Sequence, residues 1–297
     1  MSITLIDTHT HAFPESIAPR AVSALMAGVL REEGRELPPR GEATVSGLCD
    51  CMRREDVALS IVLPIATAPH QTEGILRFAE QINAQSGAAA LRFLQGETEM
   101  PSAPLLLSFA SLHPEESDPL GRLEEIKERG FLGIKLHPEF QNFYIDSPLS
   151  VRILRRAEEL SLCTVVHAGA DIGMPPPVHC TPERLSHVLE EIRGEHLVAA
   201  HLGGFRRWEE VLTHLAGKPL YFDTAYIGAD DGEPSAALYR EIVRTHGAHK
   251  ILFGSDYPWK SPREVLTALS AVVGEGELPL ICSENARKIF GITASKQ

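Results

Sequence analysis

The stretch LIDTHTHAFP (residues 5–14) sets His9 and His11 one residue apart, directly after an apolar run and just ahead of a proline. In an extended strand, side chains two apart leave the same face, so both imidazoles project together, with Asp7 beside them. Two imidazoles aimed at one point call for a shared partner, and a divalent metal ion is the obvious one. Further side chains of this kind close later apolar runs. Lys135 and His137 end GFLGIKLHP (130–138), His167 ends SLCTVVHAG (161–169), His201 ends EHLVAAHLGG (195–204), and Asp256 lies in KILFGSDYPW (250–259). Imidazoles and a carboxylate gathered at one mouth are side chains of metal-ligand type.

A lysine at the end of a buried strand must pair or shed its charge. Lys135 has three ways to do so: carbamylation, binding of an anionic substrate group, or an ion pair with Asp223. His137 shares the face of Lys135 and divides between substrate contact and loop packing. His179, on the Pro-rich loop GMPPPVHCTPE (173–183), is a further candidate for substrate contact. Phe13 and Trp259 follow candidate ligands and divide between walling a pocket and packing at the barrel rim. The remaining histidines, His70, His113 and His246 among them, read as surface or packing residues.

Such side chains meet only if the runs that carry them lie side by side. Four more apolar runs complete the series: ITLIDTHTH (3–11), VALSIVLPI (57–65), PLLLSFASLHP (104–114) and PLYFDTAY (219–226). Near-continuous apolar runs suit strands buried on both faces, as in parallel sheets. Amphipathic segments alternate with them. In DPLGRLEEIKERG (118–130), Leu120, Leu123 and Ile126 recur at helical spacing before a closing glycine. TPERLSHVLEEIRG (181–194) and SPREVLTALSAVVG (261–274) open on a Thr or Ser cap with Pro at the first turn and end in Gly. Eight strand–helix units predict an α/β fold, a single (β/α)8 TIM barrel whose active site lies at the C-terminal ends of the strands. Residues 15–42 form an insertion between strands 1 and 2, and residues 87–104 a second long connection. Both are placed to cover the barrel mouth or a subunit contact.

A length of 297 residues suits one such barrel. The formal net charge of −12 argues against nucleic acid or an anionic membrane surface as partner. No apolar run approaches the ~18 residues of a membrane span, and with no basic region ahead of an apolar stretch before DTHTH, no signal peptide is expected. The expected location is the cytoplasm. Five scattered cysteines do not form a disulfide framework and read as reduced, mostly buried thiols.

Taken together, DTHTH, GIKLHP, VVHAG, AHLGG, ILFGSDYPW and the terminal SENARKIFGI resemble the motifs of the amidohydrolase superfamily. The resemblance is to its amidohydrolase-related branch, which includes metal-dependent hydrolases and decarboxylases similar to aminocarboxymuconate-semialdehyde decarboxylase. It covers essentially the whole chain and implies one barrel domain over residues 1–297. It further implies that His9, His11, His167 and Asp256 bind the principal metal, Zn²⁺ or another divalent ion. His201 matches the histidine that contacts the metal-bound water or the substrate. Lys135 stands where binuclear members carry a carboxylated lysine, so one ion is favoured and two are possible. The first expectation is hydrolysis of an amide, ester or lactone of a small molecule by a zinc-activated water, with Asp256 accepting its proton. The alternative is non-oxidative decarboxylation of a small unsaturated or aromatic carboxylic acid. The usual substrate-binding residues of decarboxylases have no clear match in residues 15–60; Arg53 and Arg54 are nearby candidates but read as residues near a helix C-terminus. A homo-oligomer is possible; nucleic acid and membrane are not expected as partners.

Overall fold

The computed structural model describes residues 3–227 and 234–294. Nine strand segments run β1 (Leu5–Thr10), β2 (Val57–Val62), β3 (Leu105–Ser108), β4 (Ala110–Ser111), β5 (Gly133–Leu136), β6 (Cys163–Val166), β7 (Leu197–Ala199), β8 (Tyr221–Asp223) and β9 (Ile251–Leu252). β3 and β4 are two pieces of the run expected over 104–114, separated by Phe109. All pairings are parallel, in the orders β1-β2-β3 and β4-β5-β6-β7-β8-β9. Backbone hydrogen bonds join the two sheets at both seams. The Phe109 N–H donates to Val62 O at 3.0 Å, Thr8 N–H to Phe253 O at 2.8 Å, and His11 N–H to Tyr257 O at 2.7 Å. The barrel foreseen from eight apolar runs is therefore present, with one run broken in two.

Neighbouring strand residues divide between two apolar clusters. Leu106, Val166 and Leu197 pack with helix residues such as Leu48, Leu76 and Leu123. Leu107, Val165 and Val198 join Leu59, Ile61 and Phe109 in the barrel interior, which is filled with side chains as such barrels are. The parity that sends Cys163 and Val165 inward also sends His167 inward, one step further along. Lys135 follows Gly133 in the same way. Function is thus seated on the strand ends by the alternation that builds the core.

The helices are α1 (Ala18–Glu33), α2 (Val45–Glu55), α3 (Thr72–Leu94), α4 (Pro119–Glu128), α5 (Pro138–Gln141), α6 (Pro148–Glu159), α7 (Pro182–Val188), α8 (Trp208–His214), α9 (Ala236–His246), α10 (Pro262–Ser270) and α11 (Asn285–Ala294). The Thr181 and Ser261 side chains accept from the first-turn N–H groups of α7 and α10, as their sequences foretell, and Asp118 does the same for α4. α7 stops well before Gly194. The chain continues in turns, and the Glu158 carboxylate takes the N–H groups of Arg193 and Gly194 at 2.9 and 2.8 Å beyond them.

The two long connections do different things. The first contains α1, beside the barrel mouth. Residues 87–94 of the second belong to α3, whose Phe93 and Leu94 join Phe290 of α11 in the interior cluster. That connection seals the end of the barrel opposite the candidate site, correcting the expectation that it covers the mouth. All five cysteines are free, and four are buried. Among the described residues, no helix is long and apolar enough to cross a membrane.

His246 shows what a packing histidine does to stability. Its ring stacks on Phe222 with centroids 3.7 Å apart, and burial, aided by the charge of Lys250, lowers its pKa to about 4. The folded chain resists a proton that the unfolded chain accepts from pH 6.5 downward. Stability should fall as the pH drops from about 6.5 to 4, by about 3 kcal/mol from this residue. Urea unfolding at pH 7 and pH 4.5 should show a smaller acid loss for His246→Gln than for the wild type.

Candidate metal centre

Asp7, His9 and His11 leave β1 into the mouth, each with a distinct partner. His9 Nδ1 lies 2.8 Å from Asp223 Oδ2, at the end of β8. His11 Nδ1 lies 2.9 Å from Leu63 O, just past β2. Both partners accept, so each Nδ1 carries a hydrogen and each Nε2 is the atom turned toward the site, able to take a metal ion once it holds no proton. Asp256 Oδ1 sits 3.1 Å from His11 Nε2 and 3.6 Å from His9 Nε2. The ligand atoms of these three residues lie within 4.8 Å of one another, close enough for one ion to reach all of them. Burial by itself would raise the Asp256 carboxyl. The His11 hydrogen bond and the neighbouring imidazoles outweigh it and hold the group far below the usual carboxylate range.

His167 and His201 meet beside this group, with Nδ1 of the first 3.0 Å from Nε2 of the second. Their other nitrogens face carbonyls: His167 Nε2 is 3.0 Å from Ala170 O and His201 Nδ1 is 3.1 Å from Ala225 O. With both carbonyls accepting, two lone pairs point at each other, an arrangement that needs a proton or a metal ion to be stable. Burial drives His9 down to about 4 and His137 and His167 well below the ordinary imidazole value. Neutral imidazoles are the metal-binding form. The residues present fit a divalent ion.

Asp7 lies beneath the ligands and accepts from Ser255 N–H at 2.9 Å and Ser255 Oγ at 2.6 Å. It ties β1 to the loop carrying Asp256, and burial raises its pKa to about 7. The same loop aims Asp256 from a left-handed backbone, φ 67°; His201, Leu202 and Tyr226 also have positive φ, at 58°, 54° and 60°.

Lys135 is fully buried, with Nζ 3.2 Å from His9 Nε2. Burial lowers its pKa to about 8, while Asp223 and Asp256 oppose the shift. Asp223, foreseen as a partner for Lys135, is chiefly the orienting partner of His9 and also accepts the His201 N–H at 2.8 Å. His137 stacks between Phe140 and His167, at 3.9 and 4.1 Å between centroids. Its Nδ1 accepts from Phe140 N–H at 3.3 Å, which leaves Nε2–H facing Asp171 at 3.5 Å. His137, His167 and Asp171 form a second group of ligand type, in which both His137 nitrogens already have partners. Sequence reasoning missed Asp171, which lies on a loop four residues beyond His167.

His179 stands apart from the mouth. Its Nδ1 is 2.5 Å from Glu139 Oε2 and its N–H donates to Glu139 Oε1 at 2.7 Å, so the ring anchors the Pro-rich loop. Arg53 and Arg54 lie at the exposed end of α2, paired with Asp50 and Glu55. A chamber of about 890 Å³ opens over the metal centre. Its lining includes His9, His11, Lys135, His201 and Asp256, and Phe13 and Trp259 are on its wall rather than only packing at the rim.

No curated protein matches this sequence. Among solved structures, 5-carboxyvanillate decarboxylase from Sphingomonas paucimobilis is similar, at 16% identity and a TM-score of 0.59, over 97% of this chain and 99% of that one. A dihydroxybenzoic acid decarboxylase from Polaromonas sp. JS666, with bound manganese and the inhibitor 2-nitroresorcinol, aligns at 14% identity with a TM-score of 0.59, over 98% of each chain. A protein assigned as a 2-pyrone-4,6-dicarboxylic acid hydrolase from Pseudomonas putida aligns at 15% identity with a TM-score of 0.58, also over 98% of each chain. These likenesses bear out the barrel. The amidohydrolase family model matches residues 6–292, from β1 into α11. The chain belongs to the amidohydrolase family.

Proposed function

We propose that this protein is a divalent-metal-dependent decarboxylase of a small aromatic or unsaturated carboxylic acid. The observation that carries the reading is the buried Lys135 ammonium beside a histidine-rich metal centre, at the floor of a chamber with largely apolar walls. Two decarboxylases among the similar structures support it, and they move hydrolysis, the first expectation from sequence, to second place.

In this reading His9, His11, His167 and Asp256 hold one ion. Three nitrogens and one oxygen suit zinc; manganese, the ion in the Polaromonas structure, is the alternative that elemental analysis separates. When bound, the ion acts as a Lewis acid toward negative charge on the substrate oxygens. Asp223 fixes the tautomer of His9. Lys135 stays an uncarbamylated ammonium and attracts the substrate carboxylate into a site that strips its water. The bond between the carboxyl carbon and the substrate carbon breaks, and CO2 leaves with no change in oxidation state overall. The electron pair left on carbon takes a proton from His201 Nε2, while Nδ1–H stays on Ala225 O. The ring then regains a proton from solvent.

Hydrolysis keeps one specific support, the similarity to the Pseudomonas putida protein. Turnover of a panel of hydroxybenzoates, unsaturated acids, esters and lactones in H2¹⁸O separates the two. The expected result is CO2 release with an equimolar product free of ¹⁸O. Product carrying ¹⁸O in a new carboxylate, without CO2, overturns decarboxylation in favour of hydrolysis.

A further inference from the structure

We propose that the acid accepted here is amphiphilic, with a carboxylate end for the metal centre and an apolar body larger than one ring, held by the helix inserted between β1 and β2. The carboxylate end rests on the decarboxylase reading; the apolar body rests on the chamber itself.

The chamber, at about 890 Å³, lies near the top of the roughly 300–1,000 Å³ of sites that enclose a drug-sized molecule. Its wall is a helix face. Ile17, just before α1, and Ala21, Leu25 and Gly28 within it all line the chamber, at spacings of one helical turn. A stripe of this kind ordinarily faces the core. Here only Ala18, Gly28 and Val29 of α1 are buried, and Ile17 remains 48% exposed, because the stripe looks into open space. Ile75 and Phe78 of α3 also line the chamber. Apolar surface left facing water is surface that a ligand gains by covering.

Charge is kept to the two ends. Lys135, Asp171 and the ligands lie at the floor, and Arg31, Glu73 and Arg77 lie at the rim, where Arg77 pairs with Glu73 at 3.6 Å. Of the polar side chains near that rim, Gln71 already uses Oε1 on the Thr67 N–H and hydroxyl, both at 2.9 Å. A ring dense with hydroxyls would leave them unpaired against such walls.

The wall is also preformed. Arg206 grips both oxygens of Glu33 at 2.6 and 2.9 Å, which fastens the end of α1 to the loop after β7. At Gly28 the helix comes so near the loop after β6 that a Cβ would sit 3.2 Å from Gly173 O.

The test is calorimetric binding of a series of 4-n-alkylbenzoates, methyl to hexyl, to the metal-loaded protein. Affinity should rise about fourfold per methylene, the equivalent of about 0.8 kcal/mol of buried CH2. Leu25→Asp, which charges the wall, should flatten the series; Ala21→Trp, which fills it, should cut off the longer members. A flat wild-type series, or 2,6-dihydroxybenzoate binding more tightly than 4-butylbenzoate, overturns the apolar body alone. A steep series in which the carboxamides bind as well as the acids overturns the carboxylate end, and with it the function proposed above.

Discussion

Replacing His9 and His11 together by alanine should yield a folded protein that retains almost no divalent ion after dialysis. Two of four proposed ligands vanish, and Asp256 loses the imidazole that lies 3.1 Å from it. Elemental analysis reads the loss directly. Unfolding gives an independent reading, because an ion that binds only the native state stabilises it by about 4 kcal/mol at a thousand times its Kd. Chelation should therefore lower the wild-type Tm and leave the double variant unmoved. Asp223→Asn provides the graded case. It removes the charge that orients His9, and an orienting partner of a metal ligand is typically worth about 10–100-fold in affinity. Unchanged, tight metal content in the double variant would move the centre to His137, His167 and Asp171.

The second large effect belongs to His201. His201→Ala should lower kcat by about 10²–10⁴-fold, the usual contribution of a positioned acid or base, while the protein keeps its metal. A ligand and a proton donor differ in that pairing of readouts, since loss of a ligand removes the ion together with turnover. The ring is aimed by Ala225 O behind it and by the Asp223 carboxylate on its own N–H. Turnover close to wild type would return His201 to a packing role.

Strand ends carried most of what could be read beforehand. In GIKLHP and VVHAG, side-chain alternation within a buried strand puts Lys135 and His167 on the inner face, and that inference needs no tertiary information. Spacing alone paired His9 with His11. Asp223 as the brace of His9 was out of reach, because 214 residues separate them and only closure of the barrel brings them within 2.8 Å. The same holds for Asp7 and Ser255. His179 misled because a histidine on a loop gives no sign of which way it faces, and Glu139 turned it into an anchor. The break at Phe109 goes with its N–H bonding Val62 O on another strand, which the run itself does not announce. The course of the reaction was not legible either, since one set of histidines, aspartate and lysine serves hydrolysis and decarboxylation alike.

The left-handed residues around the mouth have a consequence for how this chain could change over generations. At non-glycine positions such backbone costs of the order of 1–3 kcal/mol each, and His201, Leu202, Tyr226 and Asp256 all occupy it. A population selected for heat tolerance alone would find relief there first, through glycine at Leu202 for example. The relaxed rim would then let His201 wander, and turnover would fall as the melting point rose. Lineages that keep both traits must look for heat tolerance at the far end, where Phe93, Phe109 and Phe290 close the barrel. In this protein, adaptation to temperature and adaptation to substrate therefore draw on opposite poles of one barrel.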